Sequence, residues 1–125
     1  MKWSEIKKVV DGTTLGKCSN PDQEFIQGCG SDLMSDVLAY IKEESLLLTG
    51  LVNEQVVRTA EMVDVKGILF VRGKIPNRQV IDLADEKGIG LLSTKLTMYM
   101  ACGELYKAGL KGYCIEKGES KCHGG

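Results

Sequence analysis

The segment from Gly67 to Lys74, GILFVRGK, ends in the Gly-Lys pair with which P-loop enzymes bind the phosphates of a nucleotide. The P-loop motif places four residues between its first glycine and this pair, and a serine or threonine directly after the lysine. Here five residues separate Gly67 from Gly73, and Ile75 follows Lys74. The intervening residues are mostly apolar, whereas a phosphate-binding loop needs backbone N–H groups that point inward. We therefore interpret the segment as a buried strand and its turn, and we predict no nucleotide hydrolysis here.

Polar and basic residues follow three predicted strands that end near residues 49, 71 and 93. In open parallel α/β sheets, ligands bind beyond the carboxyl ends of the strands, and helix N-termini at that edge attract anions. An edge that combines hydroxyl groups with cations is therefore predicted to bind a small anion. The alternative, that these are ordinary solvated loop residues, stays open. The candidate ligand-binding residues are Thr49, Gly50, Asn53, Arg72, Gly73, Lys74, Thr94 and Lys95.

Asp32 and Asp36 form a second candidate group, because they lie one turn apart on a predicted helix. Paired carboxylates can act as acid and base or hold a metal ion. At this spacing, however, both are expected on the side of the helix that faces away from its apolar residues. A solvated face or a partner surface is therefore the favoured interpretation of this pair.

Cysteine and histidine provide little support for a metal centre or a nucleophilic enzyme. The nearest grouping is Cys114, Cys122 and His123, which offers three loosely spaced ligands where structural zinc usually takes four at tight spacing. His123 is the one histidine of the chain, so a Ser-His or Cys-His enzyme would depend on a terminal residue. We predict no cofactor, no metal site beyond these three weak candidates, no catalytic residues, and hence a protein that is not an enzyme.

The bulk composition excludes several other classes of function. Lys and Arg total 16 against 17 Asp and Glu, so the net charge of -1 gives no field for nucleic acid or an anionic membrane. The apolar runs are too short to span a bilayer, and the opening residues MKWSEIKKVVDG lack the apolar core of a signal peptide. Five widely spaced cysteines favour reduced thiols. We therefore expect a cytoplasmic protein without nucleic-acid or membrane partners.

Short apolar runs alternate with amphipathic segments along the chain, which predicts a single small α/β domain with a mostly parallel sheet of four to five strands flanked by helices. The predicted strands cover residues 23–27, 46–50, 67–71 and 89–93. The predicted helices cover residues 3–10, 31–44, 54–63, 76–87 and 94–108. The second helix should begin at Ser31 as its N-cap and bury Met34, Val37, Leu38 and Ile41. The domain is expected over residues 1–112, followed by a polar Cys/His/Gly tail over residues 113–125.

The segment from Asp32 to Leu110 resembles a DRTGG domain. The resemblance is carried by SDLMSDVL, LLLTGLVNEQVVRTAEMVDVKGILFVRGKIPN and VIDLADEKGIGLLSTKLTMYMACGELYKAGL. It implies a fold similar to the N-terminal domain of HPr kinase/phosphorylase, without the P-loop of the kinase. DRTGG domains accompany CBS domains in a regulated pyrophosphatase and are taken as regulatory or dimerising modules. The resemblance therefore implies a non-catalytic regulatory, sensor or dimerisation module that forms a homodimer and could bind a small anionic metabolite or nucleotide.

The same resemblance implies an alternative function. Stand-alone DRTGG proteins similar to this chain are found near iron-hydrogenase genes, which makes an accessory or scaffold protein of a redox complex the second hypothesis. Asp32, Asp36 and the Cys-His tail would then contact the redox-enzyme partner.

The chain departs from the residues that give the DRTGG family its name. The first strand-end loop reads Thr49-Gly50-Leu51-Val52, without Asp-Arg, and the second reads Val71-Arg72-Gly73-Lys74, without Thr-Gly-Gly. The two glycines still predict tight turns at these places.

Overall fold

Helices and strands alternate along residues 1–113, the part of the chain that the computed structural model describes. The helices are α1 (Trp3–Val9), α2 (Met34–Tyr40), α3 (Glu54–Met62), α4 (Arg78–Glu86) and α5 (Met98–Ala108). The strands are β1 (Thr13–Leu15), β2 (Gln27–Gly30), β3 (Ser45–Thr49), β4 (Gly67–Phe70) and β5 (Gly90–Ser93). This order alternates strands and helices from β2 to α5, as the sequence pattern predicts.

All five strands join one sheet in the order β1-β5-β4-β3-β2. The four strands from β2 to β5 are parallel, and β1 pairs antiparallel with β5. The predicted fold class, a single small α/β domain with a mostly parallel sheet of four to five strands, is confirmed. Because β2 to β5 run in the same direction, their carboxyl ends and the loops that follow them lie along one edge of the sheet. We call it the carboxyl edge.

Alternate residues of the central strands enter two separate cores. Leu47, Ile68 and Leu91 pack against α2, α3 and α4 on one face of the sheet. Leu48 and Leu69 pack against α1 and α5 on the other face. Every residue of β3, β4 and β5 is buried. This burial on both faces explains why these strands read as unbroken apolar runs without polar alternation.

Local caps fix where three of the helices begin. The side chains of Asn53, Asn77 and Thr97 accept hydrogen bonds from the backbone N–H groups of Val56, Val80 and Met100, at 3.3, 3.1 and 3.3 Å. Each cap satisfies a donor that the first helical turn would leave unpaired. The first turns of α3 and α4 therefore start directly at the carboxyl edge.

The structure corrects several predicted boundaries. Strand β1 was missed, and the strand expected over residues 23–27 instead begins at Gln27. Helix α5 begins at Met98 rather than near residue 94, because Thr97 is its N-cap and the preceding residues form the loop that leaves β5. These errors concern places where tertiary contacts override short local patterns.

Helix α2 is shorter than predicted. It covers Met34–Tyr40, and its N-cap is Leu33, which has no capping side chain, rather than Ser31. Leu38 is 47% exposed although it was predicted to be buried. The reason is the position of α2 at the margin of the sheet, where only Met34 and Val37 face the core.

The helices of residues 1–113 are short. Within that part of the chain, no helix combines the length and the apolar composition needed to cross a bilayer.

Candidate functional site

The carboxyl edge brings together loops from four strands. The N–H of Val71 donates to the Thr49 carbonyl at 3.0 Å, and the N–H of Thr94 donates to the Phe70 carbonyl at 2.9 Å. These bonds continue the parallel pairing one step beyond the ends of β3, β4 and β5. The loops that begin at Gly50, Arg72 and Thr94 are therefore neighbours, as the sequence predicts.

A carboxylate is bound at this edge by groups from two other loops. Oδ1 of Asp32 accepts hydrogen bonds from the Gly50 N–H at 2.7 Å and from the Thr49 hydroxyl at 3.0 Å. Its other oxygen, Oδ2, lies 3.5 Å from Nη1 of Arg72. We call Asp32, Thr49, Gly50 and Arg72 the Asp32 cluster. The cluster shows that an amide, a hydroxyl and a guanidinium converge here on one anion.

The backbone around Arg72 holds its side chain over the β3 loop. Arg72 has a φ of 61°, in the left-handed region that side chains rarely adopt, and its N–H donates to the Leu96 carbonyl at 2.8 Å. The N–H of Gly73, whose φ is 68°, donates to the Thr94 carbonyl at 2.8 Å. A Cβ atom on Gly50 would overlap the Arg72 guanidinium. Glycine at position 50 thus permits the close approach that forms the cluster.

The cluster changes the acidity of Asp32. The hydrogen bond from the Gly50 N–H is the largest cause that lowers the pKa of this carboxyl below its ordinary value. Partial burial opposes this effect, while the Thr49 hydroxyl and the Arg72 charge add to it. The carboxylate is therefore a weak base, which suits a fixed charge better than a proton-transfer group.

An open cleft lies beside the cluster, between the β3 loop and the first turn of α4. Its volume is about 470 Å³, within the range of small-molecule sites in proteins. Backbone N–H groups at two helix N-termini border it, with the positive ends of two helix dipoles. We call it the α3–α4 cleft. Its lining residues are Gly50, Leu51, Val52, Asn53, Glu54, Asn77, Gln79 and Val80.

Among the remaining predicted ligand residues, two lysines are exposed at the edge, and one threonine has a structural role. Lys74 and Lys95 are exposed at the edge and form no ion pair with another residue of the described chain. Thr94 is buried, and its hydroxyl donates to the Val10 carbonyl at 2.7 Å, so this hydroxyl joins α1 to the β5 loop. Lys95 and Gly73 border a second cleft, of about 380 Å³, next to β1.

Asp32 and Asp36 do not form the pair that the sequence suggested. Asp32 precedes α2 and belongs to the Asp32 cluster, whereas Asp36 is on α2 and lines a shallow pocket with Cys29, Tyr40 and Tyr113. The prediction that Asp32 and Asp36 share one face of a helix is therefore wrong. Asp32 was missed as a residue of the ligand edge because β2 was predicted too early in the chain. A strand ending at Gly30 would have indicated that Asp32 follows a strand end.

Cys29 is half-buried at the outer strand β2, within the pocket that Asp36 lines. Burial is the main cause that raises the pKa of its thiol, and the nearby Asp36 charge raises it further, against a hydrogen bond with Tyr113. A raised pKa keeps the thiol protonated and weakly nucleophilic. Cys102 is on α5, which packs on the other face of the sheet, and its sulfur would meet a Cβ atom added to Gly30 of β2. Burial raises the pKa of its thiol as well.

Within residues 1–113, no three His, Cys, Asp or Glu side chains lie together in a group that could hold a metal ion. The weak candidates Cys114, Cys122 and His123 lie outside the described residues.

The fold of this chain is similar to that of a known protein, whereas its sequence is not. No protein-family model matches the chain, and no curated protein matches its sequence. A similar solved structure is that of the CBS and DRTGG domains of the regulatory region of Clostridium perfringens pyrophosphatase, complexed with its activator diadenosine tetraphosphate. The TM-score is 0.68 at 13% identity, over 83% of this chain and 45% of that chain. The chain thus spans less than half of the length of this structure, and the likeness concerns the fold alone.

Proposed function

We propose that this protein is a non-catalytic regulatory module that binds a small anionic ligand, such as a nucleotide or a phosphate-bearing metabolite, at its carboxyl edge. The observation that carries the proposal is the Asp32 cluster. Its amide, hydroxyl and guanidinium already bind a carboxylate, with distances of 2.7, 3.0 and 3.5 Å. Groups in this arrangement are also suited to the oxygens of a phosphate.

The surroundings of the cluster support a ligand larger than a single phosphate. The α3–α4 cleft begins at Gly50 and would accept the uncharged part of such a ligand. Lys74 and Lys95 supply positive charge along the same edge. The likeness of fold to a regulatory region that was solved with a nucleotide activator agrees with this role. Residues 1–112 would form the DRTGG-like domain, and residues 113–125 a separate tail.

The lowered pKa of Asp32 and the raised pKa of Cys29 argue against these two groups as an acid–base residue and a nucleophile. An acid–base residue works best with a pKa near the operating pH, and a nucleophilic thiol needs a lowered pKa. The alternative of a redox-complex accessory protein is not favoured by any observation in residues 1–113, and it stays a prediction.

We test the proposal by isothermal titration calorimetry of the full chain with inorganic phosphate, adenosine diphosphate and diadenosine tetraphosphate. Arg72→Gln should weaken binding about tenfold or more, because a hydrogen bond to a charged group is worth ~1.5–3 kcal/mol. Lys74→Ala should weaken binding by a smaller factor, since an exposed charge contributes less.

Lys66→Ala is the matched control, because Lys66 directly precedes β4 at the opposite edge of the sheet. It should leave the affinity unchanged. The proposal fails if none of the three compounds binds to any variant. An equal loss in Lys66→Ala and Lys74→Ala would also contradict it, since that result indicates nonspecific attraction to positive charge.

We also propose that the protein forms a homodimer through the outer surface of α5. Tyr99 is 86% exposed, Met100 47% and Tyr106 43%. Contiguous exposed apolar side chains of this kind mark interaction surfaces more often than scattered ones do. A second copy of the chain is the partner that the family resemblance implies.

A further inference from the structure

We propose that Asp32 is a built-in competitor for the anion site, which an incoming phosphate group must displace, and that its displacement releases α2. This inference rests on the proposed function and names how the same site would be regulated. The competitor and the ligand would use the same donors. Asp32 occupies the Gly50 N–H, the Thr49 hydroxyl and the Arg72 guanidinium, so a phosphate can bind them only after the carboxylate leaves.

A phosphate group can replace Asp32 because it carries more charge and more acceptor oxygens than a carboxylate. The exchange is feasible because the ion pair is exposed. The side chains of Asp32 and Arg72 are 43% and 42% accessible to solvent, so water can take over each group as the other leaves. The Arg72 guanidinium is at the end of a long flexible side chain, so it can release Asp32 and then pair with the phosphate that takes the place of the carboxylate.

The release would act on α2 because Asp32 lies two residues before this helix. Helix α2 has seven residues, no capping side chain at Leu33, and only Met34 and Val37 in the core. A helix this short is marginal by itself, so its position depends on its attachments. The Asp32 cluster supplies such an attachment at the N-terminal end.

The hinge for this movement is defined by Ser31. Its N–H donates to the Leu48 carbonyl at 3.0 Å, which keeps Ser31 joined to β3 when Asp32 leaves. Its hydroxyl accepts a hydrogen bond from the Leu33 N–H at 3.0 Å, so this local bond would have to break or turn as Asp32 and α2 move. The moving part carries Leu33 and Leu38, which are 57% and 47% exposed. Displacement of Asp32 on ligand binding would thus move the exposed apolar surface that contains Leu33 and Leu38.

The affinity test uses the full chain and the probes inorganic phosphate and diadenosine tetraphosphate. Asp32→Asn removes the competing charge and keeps the shape, and Asp32→Ala removes the acceptors as well. Both should bind the probes about tenfold or more tightly than the wild type, the factor expected when the competitor occupies the site nine-tenths of the time or more. Asp36→Asn removes one charge from α2 outside the cluster, and its affinity should stay within about twofold of the wild type.

Hydrogen exchange of the backbone amides over Met34–Tyr40 provides the second measurement. In the wild type, saturating diadenosine tetraphosphate should accelerate exchange in this helix. In Asp32→Ala, exchange should be fast already and should not respond to the probe. Thermal unfolding of each variant identifies any general loss of structure.

The outcomes separate this inference from the proposed function. Binding to Asp32→Ala, with weaker or absent binding to the wild type, supports both. Unchanged or weaker binding to both Asp32 variants, with binding still lost in Arg72→Gln, overturns the competitor while the anion site stands. Unaltered exchange of α2 on binding overturns its release. Absence of binding in every variant overturns the proposed function and this inference with it.

Discussion

At the scale of single residues, Asp32 decides much of the chemistry of the carboxyl edge. Its carboxylate neutralises Arg72 and occupies the Gly50 N–H and the Thr49 hydroxyl. Lys74 and Lys95 are then the cations of the edge that pair with no residue of the described chain. Under the proposed function, Lys74 and Lys95 would attract an anion to an edge whose amide, hydroxyl and guanidinium donors are already occupied by Asp32.

The lowered pKa of Asp32 predicts how acid affects the fold. A carboxyl whose pKa is lower in the folded state than the unfolded value of about 3.9 stabilises the fold above that value, and this contribution is lost as the pH falls through the folded pKa. The difference in unfolding free energy between the wild type and Asp32→Asn should be constant near neutral pH and shrink below about pH 4.

Urea unfolding between pH 3 and pH 7 measures this difference. Asp36→Asn controls for the loss of one negative charge in the same segment. A difference that stays constant down to pH 3 would rule out a stabilising role for the ionised Asp32 carboxylate.

At the scale of the elements, β4 is the central strand of the sheet, and its first residue has no room for a side chain. Gly67, its first residue, lies under the ring pair of Trp3 and Phe25, whose centroids are 5.5 Å apart. A Cβ atom at this position would lie 2.6 Å from Trp3 Cζ3 and 2.7 Å from Phe25 Cζ. The absence of a side chain at Gly67 thus allows α1 and the segment before β2 to cover the strand.

Gly67→Ala should therefore destabilise the protein by about 1–3 kcal/mol, the usual cost of overpacking a core. Gly103→Ala is the comparison, since no atom lies within 4 Å of a Cβ atom there, and both substitutions are made in the Tyr99→Glu background because Gly103 lines the groove beside α5. That substitution should stabilise the protein by about 0.5–1 kcal/mol, because alanine favours the helix. Thermal or urea unfolding measures both, and equal effects at the two positions would contradict the packing argument.

At the scale of the whole molecule, the two helical layers cover the sheet unequally. Helices α2, α3 and α4 lie on one face, whereas the two helices α1 and α5, with Phe25 and Leu110, cover the other. A groove of about 540 Å³ remains between α5 and β2, and Leu48, Tyr99, Cys102, Leu105 and Tyr106 are among its lining residues. An additional chain that packed on this layer would bury the apolar side chains around this groove.

The homodimer prediction follows from this asymmetry. Sedimentation equilibrium of the wild type at micromolar concentration should give the mass of a dimer, and Tyr99→Glu should give that of a monomer, because a charge would be buried in the interface. Met62→Glu is the control, since Met62 is 74% exposed on α3 in the opposite layer. A monomeric wild type, or dissociation by Met62→Glu, would show that α5 does not form the interface.

The sequence by itself determined the features that depend on neighbouring residues. The apolar segments at residues 46–50, 67–71 and 89–93 indicated buried parallel strands, the amphipathic segments at residues 54–63 and 76–87 indicated the helices that follow two of them, and the strand ends indicated a shared edge. The failed P-loop spacing also identified GILFVRGK as strand and turn. These features follow from local propensity and periodicity, and the tertiary structure preserved them.

Only the tertiary structure decided which distant groups meet. The sequence assigned Asp32 to a solvated helix and Arg72 to a ligand loop, and folding brought them within 3.5 Å. It also added β1 antiparallel to β5 and left Leu38 exposed at the margin. The physical reason is that strand order and the closing of long loops depend on packing between residues far apart in the chain. Local residue patterns contain no information about such packing.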